Sequence, residues 1–128
     1  MNALLDTHAF IWWVTDAPQL SKTAKDFIAS PNNKIFFSVA GAWEIIIKVG
    51  TGKLNIPEEP DPYITSRLTD NRFEVLEIEL AHVLRVAKLP DLHRDPFDRI
   101  IIAQSQVAGM PILTIDRLIV QYDVDIIW

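Results

Sequence analysis

The chain has 128 residues, of which 49% are hydrophobic and 23% charged, the balance of one folded domain long enough to bury most of its apolar surface. It contains no cysteine, which excludes disulfides, thiolate catalysis and cysteine-ligated zinc. No apolar run reaches membrane-spanning length and no basic stretch leads into a long apolar core, so a cytoplasmic protein without a signal peptide is expected. The net charge of −5 argues against non-specific duplex binding through a broad basic face, but not against a nucleic-acid enzyme whose carboxylates hold divalent cations.

In chain order, Ala3 to Leu5 reads as a short apolar strand followed directly by Asp6-Thr7-His8. Residues 8 to 14 are apolar and helical, and Asp16-Ala17-Pro18 breaks them. Ser21 is an N-cap for a helix to about Ala29, with Ala24, Phe27 and Ile28 as its inner face. Turn chemistry at Ser30-Pro31-Asn32-Asn33 precedes a buried strand, Lys34 to Ser38. A helix then runs from Val39 to Val49 and carries Glu44 among apolar neighbours. Gly50-Thr51-Gly52-Lys53 lacks the spacing of a phosphate loop and has Leu54 where a Ser or Thr is required. It reads instead as a helix C-cap and connector.

Beyond a proline-containing loop at 54–60, Asp61-Pro62 opens a helix to about Asp70. Phe73 to Ile78 alternates like a strand near an edge, and Leu80 to Lys88 is a short helix. In the following stretch, His93-Arg94-Asp95-Pro96-Phe97-Asp98-Arg99, Asp95 is a natural N-cap, Pro96 suits the first helical position and Asp98 falls at the third. The run from Ile100 to Ala108 is apolar on nearly every face, as for a helix buried on a sheet. Gly109-Met110-Pro111 stops it. Ile112 to Ile115 is a strand followed by Asp116, residues 117–122 form a short helix, and Val124 to Trp128 is a last strand.

This alternation predicts an α/β sandwich with a mostly parallel sheet, in one domain spanning 1–128. Ligands of such sheets sit beyond the carboxyl ends of the strands, near the switch in strand order. Asp6 and Asp116 each follow an apolar strand and so belong to that edge, and Asp98 at a helix N-terminus can face it. Glu44 stands in an apolar segment, where an acid is unfavourable without compensation. Asp95 and Asp98 taken alone are explained as caps that complement a helix dipole. Four acids from distant parts of the chain are better explained as a cluster sharing a hard divalent cation, Mg²⁺ or Mn²⁺.

Leu-Leu-Asp-Thr-His at the N-terminus, Trp-Glu-Ile at 43–45, His-Arg-Asp-Pro-Phe-Asp-Arg with its helix, and Leu-Thr-Ile-Asp at 113–116 together resemble the PIN-domain nucleases, and among them the bacterial VapC-type toxins. The likeness covers essentially the whole chain in the right order. It implies a three-layer α/β/α fold and a metal-dependent endoribonuclease whose products carry 5′-phosphate and 3′-hydroxyl ends. The family's acidic positions carry over onto Asp6, Glu44, Asp98 and Asp116, with Asp6, Asp98 and Asp116 as metal ligands and Glu44 either a ligand through water or a proton acceptor. Asp95 is a cap or an outer-shell group. Thr7 and Thr114 either orient neighbouring ligands or serve as turn hydroxyls. The resemblance also implies a cognate antitoxin and a homodimer, and leaves open a toxin, a housekeeping RNA-processing enzyme or a non-catalytic interaction domain.

Arg94, Arg99, Arg117, Lys48 and Lys53 adjoin these motifs and are the candidate contacts to an RNA backbone. His93 and His8 are candidates for substrate contact or for local hydrogen bonding. Phe10, Trp12 and Trp13 cannot all share one narrow inward face, so a split between core and partner interface is expected. A receiver domain would need an adjacent acidic pair early and a lysine after a late strand. An aspartate phosphatase would need an acid two residues after Asp6, where this chain has His8.

Overall fold

The computed structural model describes residues 1–128 and contains five strands: β1 (Asn2–Leu5), β2 (Lys34–Ser38), β3 (Glu74–Leu76), β4 (Ile112–Leu113) and β5 (Ile126–Ile127). They form one sheet in the order β3-β2-β1-β4-β5, parallel at every pairing. The chain lays β2 and β3 on one side of β1, then crosses to add β4 and β5 on the other. The switch in strand order therefore falls between β1 and β4, where Leu5 is in register with Leu113, the place where ligands of such sheets bind.

Seven helices cover the sheet: α1 (Thr7–Val14), α2 (Lys22–Ala29), α3 (Val39–Gly50), α4 (Pro60–Asp70), α5 (Leu80–Val86), α6 (Pro96–Ala108) and α7 (Arg117–Val120). The layering follows from the two-residue period of the strands. Ala3 and Leu5 face a core with Phe10, Phe37, Ile45 and Tyr63. Leu4, between them, faces the opposite core with Ile101, Ile102, Ile119 and Tyr122. The result is a three-layer α/β/α sandwich. No helix is long and apolar enough to cross a membrane.

Local chemistry sets the boundaries. Ser21 caps α2 through a hydrogen bond from Ala24 N–H, and Ser38 caps α3 through one from Ala40 N–H. Gly109 ends α6 in the left-handed region at φ 66°, where a side chain would be strained. Gly41 in α3 has a different role. A Cβ built there would lie 2.7 Å from the buried Phe37 ring, so glycine lets the helix lie close on β2.

The last strands are shorter than the expected 112–115 and 124–128. After Leu113 the Thr114 hydroxyl takes the N–H of Asp116, which turns the chain out of the sheet. Val124 N–H closes a turn on Tyr122 O instead of joining a ladder. Strand β3 likewise pairs only opposite Phe36 to Ser38: Phe73 N–H is taken by Leu68 O, and Glu77 and Ile78 lie past the end of β2. Helices α5 and α7 also stop short of the expected Lys88 and Tyr122.

Candidate active site

Asp6 is the first residue past β1 and the N-cap of α1, with Oδ1 accepting from Ala9 N–H at 2.6 Å. Its other oxygen accepts a hydrogen bond from the Thr114 hydroxyl. The same hydroxyl oxygen accepts from Asp116 N–H at 3.0 Å, so one buried side chain ties the ends of β1 and β4 together. Burial pushes the Asp6 carboxyl above its ordinary range, against the two hydrogen bonds and the nearby His8, while the Asp116 charge adds to the rise.

Asp98 is carried in the first turn of α6, as the Asp95-Pro96 start requires. Asp95 caps this helix, accepting from Phe97 N–H at 2.8 Å and Asp98 N–H at 3.2 Å. Asp98 Oδ2 lies 2.7 Å from His93 Nε2. Its carboxyl is pushed up to about 6, first by burial, then by the charges of Asp95 and Glu44, with the His93 contact opposing. One ligand atom each from His93, Asp98 and Asp116 lie within 4.8 Å of one another. Asp116 also caps α7 through Leu118 N–H.

Glu44 lies in the second turn of α3 and is 3% exposed. Lys48, one turn on, holds Oε2 at 2.7 Å, while Oε1 is buried with no hydrogen-bond partner. The charge of Glu44 acts on Asp98 and that of Asp116 on Asp6, while the group within 4.8 Å holds Asp98 and Asp116 with His93 and includes neither Asp6 nor Glu44. Thr114 joins Asp6 and Asp116 directly. Thr7 is buried with its hydroxyl unpartnered and touches none of the acids through a hydrogen bond.

The expected RNA contacts divide. Arg94, Arg117 and Lys53 are exposed and take part in no ion pair. Lys48 is paired with Glu44. Arg99 is engaged within the chain, where its guanidinium donates to the carbonyls of Pro90, His93 and Val86 and to the Tyr122 hydroxyl. It braces the loop before α6, since a planar fork with five donors satisfies several carbonyls at once. His93 acquires a place that its position in the chain did not assign. The only hint was its basic ring five residues ahead of Asp98.

The aromatic residues after Asp6 also divide. Phe10 is fully buried and stacks on Phe37. Trp12 and Trp13 are half-buried against the same core, with Trp12 edge-on to Trp128 and Trp13 Nε1 donating to Asn71 at 2.9 Å. The more exposed apolar surface lies elsewhere, at Trp43 and Ile46 on α3 and Leu80, Val83 and Leu84 on α5.

Comparison with known proteins agrees with this geometry. Residues 3–125 match the family model of the PIN domain. No curated protein sequence matches the chain. Among solved structures, a chain of VapBC2 from Rickettsia felis, crystallised with a DNA fragment from its promoter, is similar with TM-score 0.74 at 16% identity over 98% of this chain and 97% of that one. A chain of DNA-bound VapBC from Salmonella typhimurium gives TM-score 0.72 at 18% identity over 98% and 96%. One from a toxin–antitoxin complex of Klebsiella pneumoniae gives 0.56 at 19% identity over 89% and 86%. At such identities these likenesses establish the fold. With the family model matching nearly the whole length, and acids gathered at the switch point of a parallel sheet, the chain belongs to the PIN domain family, a family of nucleases.

Proposed function

We propose that this PIN domain is a divalent-metal-dependent endoribonuclease, and the toxin member of a toxin–antitoxin pair acting in the cytoplasm. The observations that support the reading are Asp98 and Asp116 within 4.8 Å of one another, Asp6 tied to Asp116 through Thr114, and Glu44 acting on Asp98. The donor set fits a hard cation. Asp98 is hard to ionise without a compensating charge, and a buried oxygen of Glu44 has no donor. Asp6, Asp98 and Asp116 are the carboxylates that would hold Mg²⁺ or Mn²⁺. When bound, such an ion supplies Lewis acidity, lowering the pKa of a water and offsetting the charge that develops in an in-line displacement at phosphorus.

The chain's own residues supply the remaining parts. Thr114 fixes the rotamer of Asp6 and the backbone at Asp116, which preorganises the acids before substrate arrives. Lys48 holds Glu44 Oε2 in place, and Glu44 is the group that would accept a water proton. Glu44, Lys48, Lys53 and Asp95 line a cleft of about 220 Å³, and Lys53, Arg94 and Arg117 are the free cations for an RNA backbone. Unpaired RNA is the proposed substrate, because its backbone can bend into a narrow acidic site.

The origin of the similar structures in VapBC and toxin–antitoxin complexes supports an antitoxin partner. An apolar groove of about 350 Å³ lined by Trp43, Ile78, Val83, Phe97 and Ile100 supports a protein interface, either with that partner or within a homodimer. The decisive experiment incubates purified protein with a mixed RNA pool plus Mg²⁺ or Mn²⁺, beside EDTA and Asp98→Asn controls, and maps the cut ends. Metal-dependent cuts leaving 5′-phosphate and 3′-hydroxyl ends, absent from the mutant, are expected. Equal cleavage in EDTA by both proteins would identify a contaminant and end this reading.

A further inference from the structure

We infer that His93 is itself a ligand of the divalent ion, joining Asp98 and Asp116, so that the site is a mixed imidazole–carboxylate centre. The inference rests on the metal-dependent reading above and goes beyond it, because that reading uses carboxylates alone. Three observations carry it.

The first is spacing. His93 Nε2 and Asp98 Oδ2 are 2.7 Å apart, and one ligand atom each of His93, Asp98 and Asp116 lies within 4.8 Å of the others. Neighbouring ligands of one octahedral ion with bonds of about 2.1 Å are separated by about 3 Å, and opposite ones by about 4.2 Å. His93 Nε2 and Asp98 Oδ2 stand near the spacing of neighbouring ligands, Asp116 falls within 4.8 Å, and no comparable group of three forms elsewhere in the chain.

The second is the support under His93. Its loop precedes α6 without regular structure, yet its backbone is fastened at Pro90, Leu92 and His93. Arg99 donates to Pro90 O and His93 O, each at 3.1 Å. The Tyr122 hydroxyl donates to Pro90 O and accepts from Leu92 N–H, and Gln121 donates to Leu92 O. Both Tyr122 and Gln121 follow directly on α7, the helix that Asp116 caps, so the loop is fixed to the element that carries another ligand. A histidine meant only to cap or solvate a loop needs no such bracing, whereas ligands are held by their surroundings to a fraction of an ångström.

The third is the ring itself. His93 is only 11% exposed and presents Nε2, not a ring face, to Asp98. When Nε2 takes the ion it gives up its hydrogen bond to Asp98, and the ring proton resides on Nδ1, as in other imidazole-bound metals. Imidazole nitrogen suits first-row transition ions, and carboxylates alone suit Mg²⁺ equally well. The mixed set therefore favours Mn²⁺ over Mg²⁺.

The test is pulsed EPR of the full-length protein loaded with Mn²⁺, together with calorimetric affinities for Mn²⁺ and Mg²⁺. Imidazole nitrogen modulation is expected in the wild type, lost in His93→Gln and retained in His8→Gln. Gln keeps a donor for Asp98, and a melt in EDTA verifies that the variant folds. The wild-type spectrum is decisive even if it does not. His93→Gln is expected to weaken Mn²⁺ about 10- to 100-fold, the scale of perturbing a ligand shell, while weakening Mg²⁺ by less. Mn²⁺ binding without nitrogen modulation in the wild type, or modulation that disappears in His8→Gln instead, would overturn the inference and leave the nuclease reading standing. Absence of any divalent binding would overturn both.

Discussion

Thr114 donates its hydroxyl proton to Asp6 and accepts the N–H of Asp116 on the same oxygen, joining two acids that are 110 residues apart in the chain. Both groups are otherwise hard to satisfy, because Thr114 is fully buried and Asp6 nearly so. Thr114→Val keeps the shape and removes both bonds. Leaving buried polar groups unpaired costs about 1–3 kcal/mol, and an unoriented Asp6 should lower the cleavage rate by at least about tenfold. Thr114→Ser should recover most of both, read by thermal melts and by cleavage at saturating metal.

The two acids at the start of α6 separate by role. Asp98→Asn is expected to lose at least about two orders of magnitude in cleavage rate, the scale of removing electrostatic stabilisation of a transition state. Asp95→Asn should lose far less, since Asn can still accept from Phe97 N–H and cap the helix. The reverse ranking, in rates measured side by side, would mean that these two roles are exchanged.

Asp98 also makes the metal-free protein sensitive to pH. Its carboxyl is raised from 3.8 to about 6 on folding, so between those values the folded state binds more protons than the unfolded one. Stability contributed through this group therefore falls as pH rises through the window and is lowest above 6. With partial exposure discounted, the penalty near neutrality is about 2–3 kcal/mol. In EDTA at pH 7, Asp98→Asn should melt above wild type by about 5–10 °C, and the gap should close by pH 4. Mn²⁺ at a hundredfold excess over Kd adds about 2.7 kcal/mol to the wild type and less to the mutant. A mutant that melts lower than wild type, with neither protein responding to metal, would reduce Asp98 to a helix cap.

Lys48 supplies the charge that Glu44 needs inside the fold. In Lys48→Met the Glu44 carboxylate is left buried and unpaired, which should destabilise by about 1–3 kcal/mol, less than for a fully enclosed pair because Lys48 is a third exposed. Adding Glu44→Gln should restore stability without restoring activity. A double-mutant cycle of chemical denaturation midpoints measures the coupling, and additive effects would show that the ion pair does not position Glu44.

Much of this protein could be read from local patterns. Ser21, Ser38 and Asp95 are caps wherever they precede a helical pattern, because their oxygens reach N–H groups two or three residues on. The alternation of short apolar strands with longer helices dictated a parallel sheet, and parallel strands carry Asp6 and the Thr114-Ile115-Asp116 turn to one edge whatever else the chain does. That much is a matter of period and direction, properties that neighbouring residues possess among themselves. Strand ends were not of this kind. Strand β4 stops after Leu113 because the Thr114 hydroxyl draws in Asp116 N–H, an arrangement completed by Asp6 from the other end of the chain. Nor was the sorting of equivalent-looking side chains. Arg94 and Arg99 are both basic residues beside the same motif, yet only Arg99 meets the carbonyls of a folded-back loop. Phe10, Trp12 and Trp13 are one aromatic run until packing against Phe37 and Trp128 divides them. His93 stands five residues ahead of Asp98, a spacing that by itself did not single it out. Its pairing with Asp98, and the proximity of both to Asp116, exist only once Arg99, Gln121 and Tyr122 have fixed the loop, because an interaction of a few ångströms between distant residues is decided by the packing of everything between them.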